Sequence, residues 1–197
     1  MSRIALIRHG PTGWNQQKRL QGQSDQPLSD DGRARVQTWK LPRTLIDEFH
    51  WVASPLIRAQ ETARILGLDP APEPTLIEMH WGDWEGHTHI ELAEKYGAEF
   101  KLRAGKGIDL RPHGGESPRE VRERVAVWAR TVGESGRPTG AVAHQGIIRA
   151  AISLATGWDM RENPPEKMDW DAVHLFHVSA EGAVEIDRLN VSLLPDA

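Results

Sequence analysis

At 197 residues the chain has the length of one domain with a single core. Hydrophobic residues make up 39% and charged residues 26%, the balance of a folded globule and not of a disordered chain. The net charge of −4 (24 Lys+Arg against 28 Asp+Glu, His neutral) argues against a nucleic-acid backbone binder, and the absence of cysteine excludes disulfides, thiolate nucleophiles and Cys-ligated metals.

In chain order, Ile4-Ala5-Leu6-Ile7 is a nearly continuous apolar run, the pattern of a strand buried on both faces. Arg3 leads directly into it, so no cleaved leader is expected, and the cytoplasm is the expected compartment. No apolar run approaches the roughly 18 residues of a membrane span. Ser29 is placed to N-cap a helix through Arg33, Val36 and Trp39. Trp51-Val52-Ala53 reads as a second strand. Ser54-Pro55 after it reads as a cap with proline at the first helical position, opening a helix that ends at Gly67. Leu76-Ile77 is a weaker strand signal that ends at Glu78.

From about Met79 to Glu116 the chain is less regular and rich in Gly, His and Trp. A helical stretch over Ile90–Leu102 makes this segment an insertion above the sheet's edge, able to act as a cap within a single domain spanning 1–197. Ser117-Pro118-Arg119-Glu120 is a capping box, and Val121, Val125, Trp128 and Val132 then share one helical face. Gly140-Ala141-Val142-Ala143 is a third clear strand, followed by a helix over Ile147–Ala155 that Gly157 stops. Val173–Val178 and Ala183–Leu189 read as late strands joined around Glu181-Gly182 in a hairpin. The alternation predicts an α/β fold: a three-layer α/β/α domain with a mostly parallel central sheet and a small helical insertion over the site. The hairpin offers an edge strand for pairing, so a monomer and a homodimer both stay open.

Chemistry is expected at the carboxyl ends of the strands. Arg8-His9-Gly10 follows the first strand. Arg58 falls in the first turn of the helix after the second, a placement suited to an anion. Glu78 ends the third, where a carboxyl group can act as a general acid. His144 ends the fourth, with Gln145-Gly146 opening a helix behind it. In isolation each reads as an ordinary surface or core residue. Together they fit phosphoryl transfer: an imidazole nucleophile, cationic donors around the equatorial oxygens and an acid for the leaving group.

The same residues lie in longer blocks: Leu6-Ile7-Arg8-His9-Gly10-Pro11-Thr12 with Trp14-Asn15, Gln21-Gly22-Gln23-Ser24-Asp25, Pro27-Leu28-Ser29, Gly32-Arg33-Ala34 and Ala53-Ser54-Pro55-Leu56-Ile57-Arg58-Ala59 with Thr62-Ala63. Glu78, Trp81-Gly82-Asp83-Trp84-Glu85-Gly86, Gly114-Gly115-Glu116-Ser117 and Ala143-His144-Gln145-Gly146 with Ile148-Arg149 continue them. This set resembles the histidine phosphatase superfamily, also called phosphoglycerate-mutase-like. The resemblance implies that His9 is the nucleophile and carries a phosphohistidine. Arg8, Arg58 and a protonated His144 would line the phosphate pocket, with Asn15, Gln21, Gly22 and Gln145 as further contacts. Glu78 would donate the proton to the leaving oxygen and later activate water.

The resemblance also implies no cofactor, no metal and a small phosphorylated substrate. Two positions depart from it: Pro11 stands where many members carry Glu, and Gln145 where a second Gly is frequent. A phosphoglycerate mutase and a phosphate-binding protein without catalysis are the alternatives, and the short Met79–Glu116 insertion favours hydrolysis by leaving water access. His80, His87 and His89 raise a metal reading, although with Trp81, Trp84 and Arg103 they better fit a substrate entrance or core cover. His50, His174 and His177 read as structural or exposed.

Overall fold

The computed structural model describes residues 1–194. Its strands are β1 (Ser2–Arg8), β2 (His50–Ala53), β3 (Ala71–Pro72), β4 (Thr139–Ala143), β5 (Ala172–Val178) and β6 (Val184–Ser192). They form one six-stranded sheet in the order β3-β2-β4-β1-β5-β6. β1 and β2 both run parallel to β4, and β3 runs parallel to β2. β5 and β6 are antiparallel additions beyond β1, the expected late hairpin. The helices are α1 (Gly13–Gln16), α2 (Asp30–Thr38), α3 (Arg43–Glu48), α4 (Ile57–Ile65), α5 (His89–Tyr96), α6 (Ala98–Ala104), α7 (Pro118–Ser135) and α8 (Gln145–Thr156).

Successive strand residues point to opposite faces, and here both faces are dry. Ile4, Leu6, Ala141 and Ala143 join one core with Val121, Val125, Trp128 and Val132 of α7 and Ile148 and Ile152 of α8. Ala5, Ile7, Ala53 and Val142 join the other with Val36 of α2 and Ala59 and Ala63 of α4. Gly140 sits where a Cβ would stand 2.7 Å from the Trp51 ring on the neighbouring strand, so glycine is needed for these strands to lie together.

Helix starts follow their caps. Ser29 accepts from the Gly32 amide, and Ser117 and Glu120 complete a capping box with Pro118 at the first position. Gly157 ends α8 at φ 74°, in the left-handed region.

Three expectations are corrected. Leu76-Ile77 is not a strand: Pro74–Leu76 form a 3₁₀ turn, with Glu73 accepting from the Thr75 amide. Proline at 74 has no N–H for a ladder, and β3 lies earlier, at Ala71–Pro72. Leu76 is buried all the same, as a core residue. Ser54 does not cap α4, whose N-cap Leu56 makes no side-chain bond. Finally, the Ile90–Leu102 helix is broken at Gly97, where φ is 54°, into α5 and α6, which close over Trp84, Leu92 and Phe100. Among the described residues no helix is long and apolar enough to cross a membrane.

His174 on β5 is fully buried, and its Nδ1 accepts from the Asn190 amide at 3.3 Å. Burial pushes its pKa down to about 4, against a weaker opposing pull from Asp169. The unfolded chain therefore binds a proton below about pH 6.5 that the native state refuses. The stability this ring contributes is complete above pH 6.5 and is lost as pH falls toward 4, by a total on the order of 3 kcal/mol. Urea unfolding of wild type and His174→Gln at pH 7 and pH 4.5 should show the gap between them narrowing on acidification. Equal pH dependence would rule this out.

Candidate active site

The register of the parallel strands creates the site. Arg8 pairs with Ala143 and Ala53 with Val142, so β1, β2 and β4 end at the same edge and release His9, Ser54 and His144 side by side. The His9 amide donates to Ala143 O at 3.0 Å, extending the ladder one residue beyond β1.

His9 Nδ1 lies 2.7 Å from Gly10 O. A carbonyl only accepts, so Nδ1 carries the ring proton and Nε2 keeps its lone pair. The Gly10 amide donates to Thr62 Oγ1 at 2.9 Å, and Thr62 Oγ1 donates to Arg58 O at 2.7 Å, which ties this loop to α4. Burial, then the charges of Arg8 and Arg58, hold the His9 pKa well below the usual imidazole value.

His144 is fully buried, with its ring centroid 5.2 Å from that of His9. Its Nε2 lies 2.7 Å from Ser54 Oγ, and this bond occupies the hydroxyl that sequence assigns to helix capping. Nδ1 has no partner among the described residues. Burial first, then Arg58, His9 and Arg8, hold its pKa well below the ordinary value. The expected protonated His144 is thereby corrected: in a dry site already rich in guanidinium, a third neighbouring cation is disfavoured.

Arg58 is also fully buried. Its Nη2 donates to Gly22 O at 2.7 Å and its Nη1 to Ser24 O at 3.1 Å, while Nε has no partner among the described residues. The loop that supplies these carbonyls is held by Glu85, whose carboxylate accepts from the amides of Gln23 (2.9 Å), Ser24 (2.9 Å) and Trp81 (3.1 Å) and from Ser24 Oγ (2.6 Å). Gly22, at φ +54°, lets that carboxylate in: a Cβ there would sit 2.0 Å from Glu85 Oε1.

Thr12, which caps α1, bonds Asn15 Oδ1 from its amide at 3.0 Å and Gln21 Oε1 from its hydroxyl at 2.9 Å. Both amide oxygens face Thr12, so both NH₂ groups are directed away from it. Arg8 makes no ion pair among the described residues and stacks over Trp170, its Cζ 5.2 Å from the ring centroid. Burial lowers its pKa, with Glu78 pulling the other way.

Glu78 reaches the site from the turn after Pro74–Leu76, only 9% exposed. Its Oε1 accepts from the Met79 amide at 2.8 Å, and its Oε2 from the Gly146 amide in the first turn of α8 at 3.3 Å.

These groups surround a cavity of about 330 Å³ lined by Arg8, His9, Asn15, Gln21, Gly22, Arg58, Glu78 and Gln145, with His144 packed behind His9 and not on the wall. Pro11, one of the departures, uses its carbonyl to accept from the Ser29 amide at 3.0 Å. Trp81 and His89 of the 79–116 segment also line the cavity, as an entrance would. Trp84 instead packs on Phe100, and Arg103 pairs with Glu99. His87 Nδ1 lies 3.1 Å from Glu85 O, and no group of three or more His, Cys, Asp and Glu that could hold a metal is present among the described residues.

Arg19, Glu85 and Arg149 are the site residues to which sequence reasoning assigns no role. Glu85 and Arg149 do lie in the blocks that carry the resemblance, which is the only signal they offer.

A desolvated, cation-walled cavity beside a neutral imidazole, at the carboxyl edge of an α/β sheet, defines an enzyme of the phosphatase class. The model of the histidine phosphatase superfamily (branch 1) matches residues 4–192, and the chain belongs to that superfamily. It is 36% identical over 178 residues to a glucosyl-3-phosphoglycerate phosphatase of Mycolicibacterium vanbaalenii, covering 79% of this chain and 74% of that one. It is 30% identical over 164 residues to a 2,3-bisphosphoglycerate-dependent phosphoglycerate mutase 2 of Gloeobacter violaceus, covering 77% and 74%. A solved mycobacterial glucosyl-3-phosphoglycerate phosphatase complexed with VO3 superposes with a TM-score of 0.79 at 26% identity, covering 98% of this chain and 100% of that one.

Glu85→Ala removes the common acceptor of the 22–24 loop, and water replaces it only in part. Urea unfolding should show a loss of about 2 kcal/mol, the scale of unmade hydrogen bonds in a half-buried site. Inorganic phosphate should bind at least tenfold more weakly by calorimetry, because Arg58 loses its carbonyl seat. Unchanged phosphate affinity would refute that link.

Proposed function

We propose that the protein hydrolyses a small phosphate ester through a phosphohistidine on His9, with Glu78 as proton donor. The single observation that carries this reading is the His9 Nδ1 to Gly10 O bond of 2.7 Å, which aims an unprotonated Nε2 into a cavity shared with Arg8, Arg58 and Glu78. In the first step Nε2 forms a bond to phosphorus as the ester P–O bond breaks, and the Glu78 proton passes to the departing oxygen, which leaves as the alcohol. In the second, water attacks phosphorus and gives a proton to the Glu78 carboxylate. The N–P bond breaks, inorganic phosphate leaves, and both side chains return to their starting state.

Throughout, Arg8, Arg58 and the amide nitrogens of Asn15 and Gln21 donate to the phosphoryl oxygens. The buried His144, with Ser54 Oγ–H donating to Nε2 and the proton on Nδ1, backs the nucleophile with its ring centroid 5.2 Å from that of His9. The phosphatases among the relatives support hydrolysis.

With p-nitrophenyl phosphate, His9→Ala should abolish turnover. Arg58→Gln should lower kcat by about 10²–10³, the usual effect of losing one preorganised donor. Glu78→Gln should lower kcat with little change in KM for esters of poorly leaving alcohols. Normal turnover by His9→Ala would end the proposal.

The depressed His9 pKa gives a second check. Protonation removes the nucleophile, and the free enzyme resists it below the ordinary imidazole value. Once the ester's own ionisation is corrected for, kcat/KM should hold its value through pH 6.5 and fall only at lower pH. A fall centred at 6.5 would contradict the neutral, desolvated ring.

The Gloeobacter relative favours a second reading, mutase transfer between glycerate positions. Assays with and without a bisphosphoglycerate primer separate the two. Mutase turnover at or above the rate of hydrolysis would replace the first reading.

A further inference from the structure

The two arginines that flank His9 are held in different ways. Arg58 commits both terminal nitrogens to backbone carbonyls, Gly22 O at 2.7 Å and Ser24 O at 3.1 Å. Arg8 has no such seat. Among the described residues its side chain makes no hydrogen bond and no ion pair, and its Nε is buried without a partner. Glu78 and Asp171 attract it electrostatically. Their carboxylates, however, are engaged elsewhere: Asp171 accepts from Arg35 Nε at 2.8 Å, and Glu78 from the Met79 and Gly146 amides. Attraction without a hydrogen bond keeps a charge nearby but does not set where its N–H groups point. The one directional contact of the Arg8 guanidinium among the described residues is the Trp170 ring, with Cζ 5.2 Å from the centroid.

The sheet explains why that ring is there. β5 runs antiparallel to β1 with Val173 opposite Ile7, so β5 begins at the edge where β1 ends. Trp170 lies on the segment leading into β5 and thereby arrives beside Arg8. The ring is itself supported. It packs against the core under α7 and α8, and it meets the His174 ring edge-on, with centroids 6.3 Å apart and planes at 72°. The next residue, Asp171, is tied to Arg35 of α2, and its carbonyl accepts from the Leu193 amide at 2.9 Å.

A cation held over a ring keeps its donors. The attraction to the negative ring face uses none of the five guanidinium N–H groups, whereas each carbonyl that seats Arg58 occupies one. With Arg8, His9 and Asn15, Trp170 walls a small cavity of about 80 Å³, which places the contact beside the nucleophile. Trp170 also lines, with Lys167 and Met168, a neighbouring cavity of about 550 Å³ that meets the reaction cavity at Gln145. A direct contact with substrate from that side is the competing role that the test has to separate.

We propose that Trp170 is a positioning residue for the reaction: its ring holds the Arg8 guanidinium in place with its N–H groups free for the phosphoryl oxygens. This rests on the hydrolytic reading of the site, with Arg8 as a phosphate donor. Because Trp170 acts through Arg8, the cost of losing it depends on Arg8 being present.

Trp170→Leu should lower kcat/KM for p-nitrophenyl phosphate about tenfold, the scale of one partly desolvated cation–π contact. In an Arg8→Met background the same substitution should change kcat/KM by less than twofold. An equal loss in both backgrounds assigns the ring to substrate contact or to packing and overturns the proposal, as does a Trp170→Leu protein with wild-type kcat/KM. If Trp170→Leu does not fold, fluorinated tryptophans placed at position 170 alone keep the ring's shape and make its face less negative. Then kcat/KM should fall stepwise with the number of fluorines, and a flat response overturns the proposal. Failure of the hydrolytic reading shows separately, as p-nitrophenyl phosphate turnover that survives His9→Ala or that Arg8→Met leaves unchanged, and it takes this inference with it.

Discussion

An imidazole kept neutral by burial beside two buried guanidiniums is the constraint around which this molecule is arranged. Burial and two adjacent positive charges act on His9 in the same direction, and the Gly10 carbonyl settles which nitrogen holds the proton. The same desolvation that holds the His9 pKa down makes Arg8 and Arg58 expensive to bury. Buried guanidiniums carry a desolvation cost that a dianion would offset.

The scaffold carries that burden by over-determining the positions of the charged groups. Arg58 is seated on two backbone carbonyls, and the loop that provides them is gathered by one carboxylate, Glu85, with four donors. Thr62 links the His9 loop to the helix bearing Arg58. Glycine appears where side chains must approach backbone: at 22 to admit Glu85, and at 146, where a Cβ would stand 2.2 Å from Glu78 Oε1. The cores on either face of the sheet supply the stability against which these local costs are set.

Division of labour follows from topology. The parallel strands deliver His9, Ser54 and His144 at fixed spacing, since the ladder and the packed cores on both faces hold their register. Glu78, arriving from a turn, and the 79–116 segment, with Trp81 and His89 on the cavity wall, are less tied to the sheet. So is the stretch bearing Lys167, Met168 and Trp170. The candidate catalytic groups thus sit largely on the rigid edge, and the outer walls of the cavity on segments between elements.

Local grammar was legible from the chain alone. The apolar run before Arg8, the Ser29 and Ser117 caps, the Gly157 stop, the late hairpin and the α/β alternation need only neighbours in sequence, and the blocks around His9, Arg58, Glu78 and His144 named candidate residues that the fold brings together. Tertiary structure decided what depends on distant partners. Ser54 brings its hydroxyl within 2.7 Å of His144, 90 positions away, while the Leu56 amide ahead of α4 reaches the same oxygen only at 3.4 Å. Leu76 is core without being a strand, since the 3₁₀ turn over Pro74–Leu76 carries it inward. His144 is neutral because Arg58, His9 and Arg8 crowd it in a dry interior. Glu85 as a clamp exists only as a long-range fact. Propensity and spacing act over a few residues, whereas desolvation and charge balance are set by whatever the fold packs alongside.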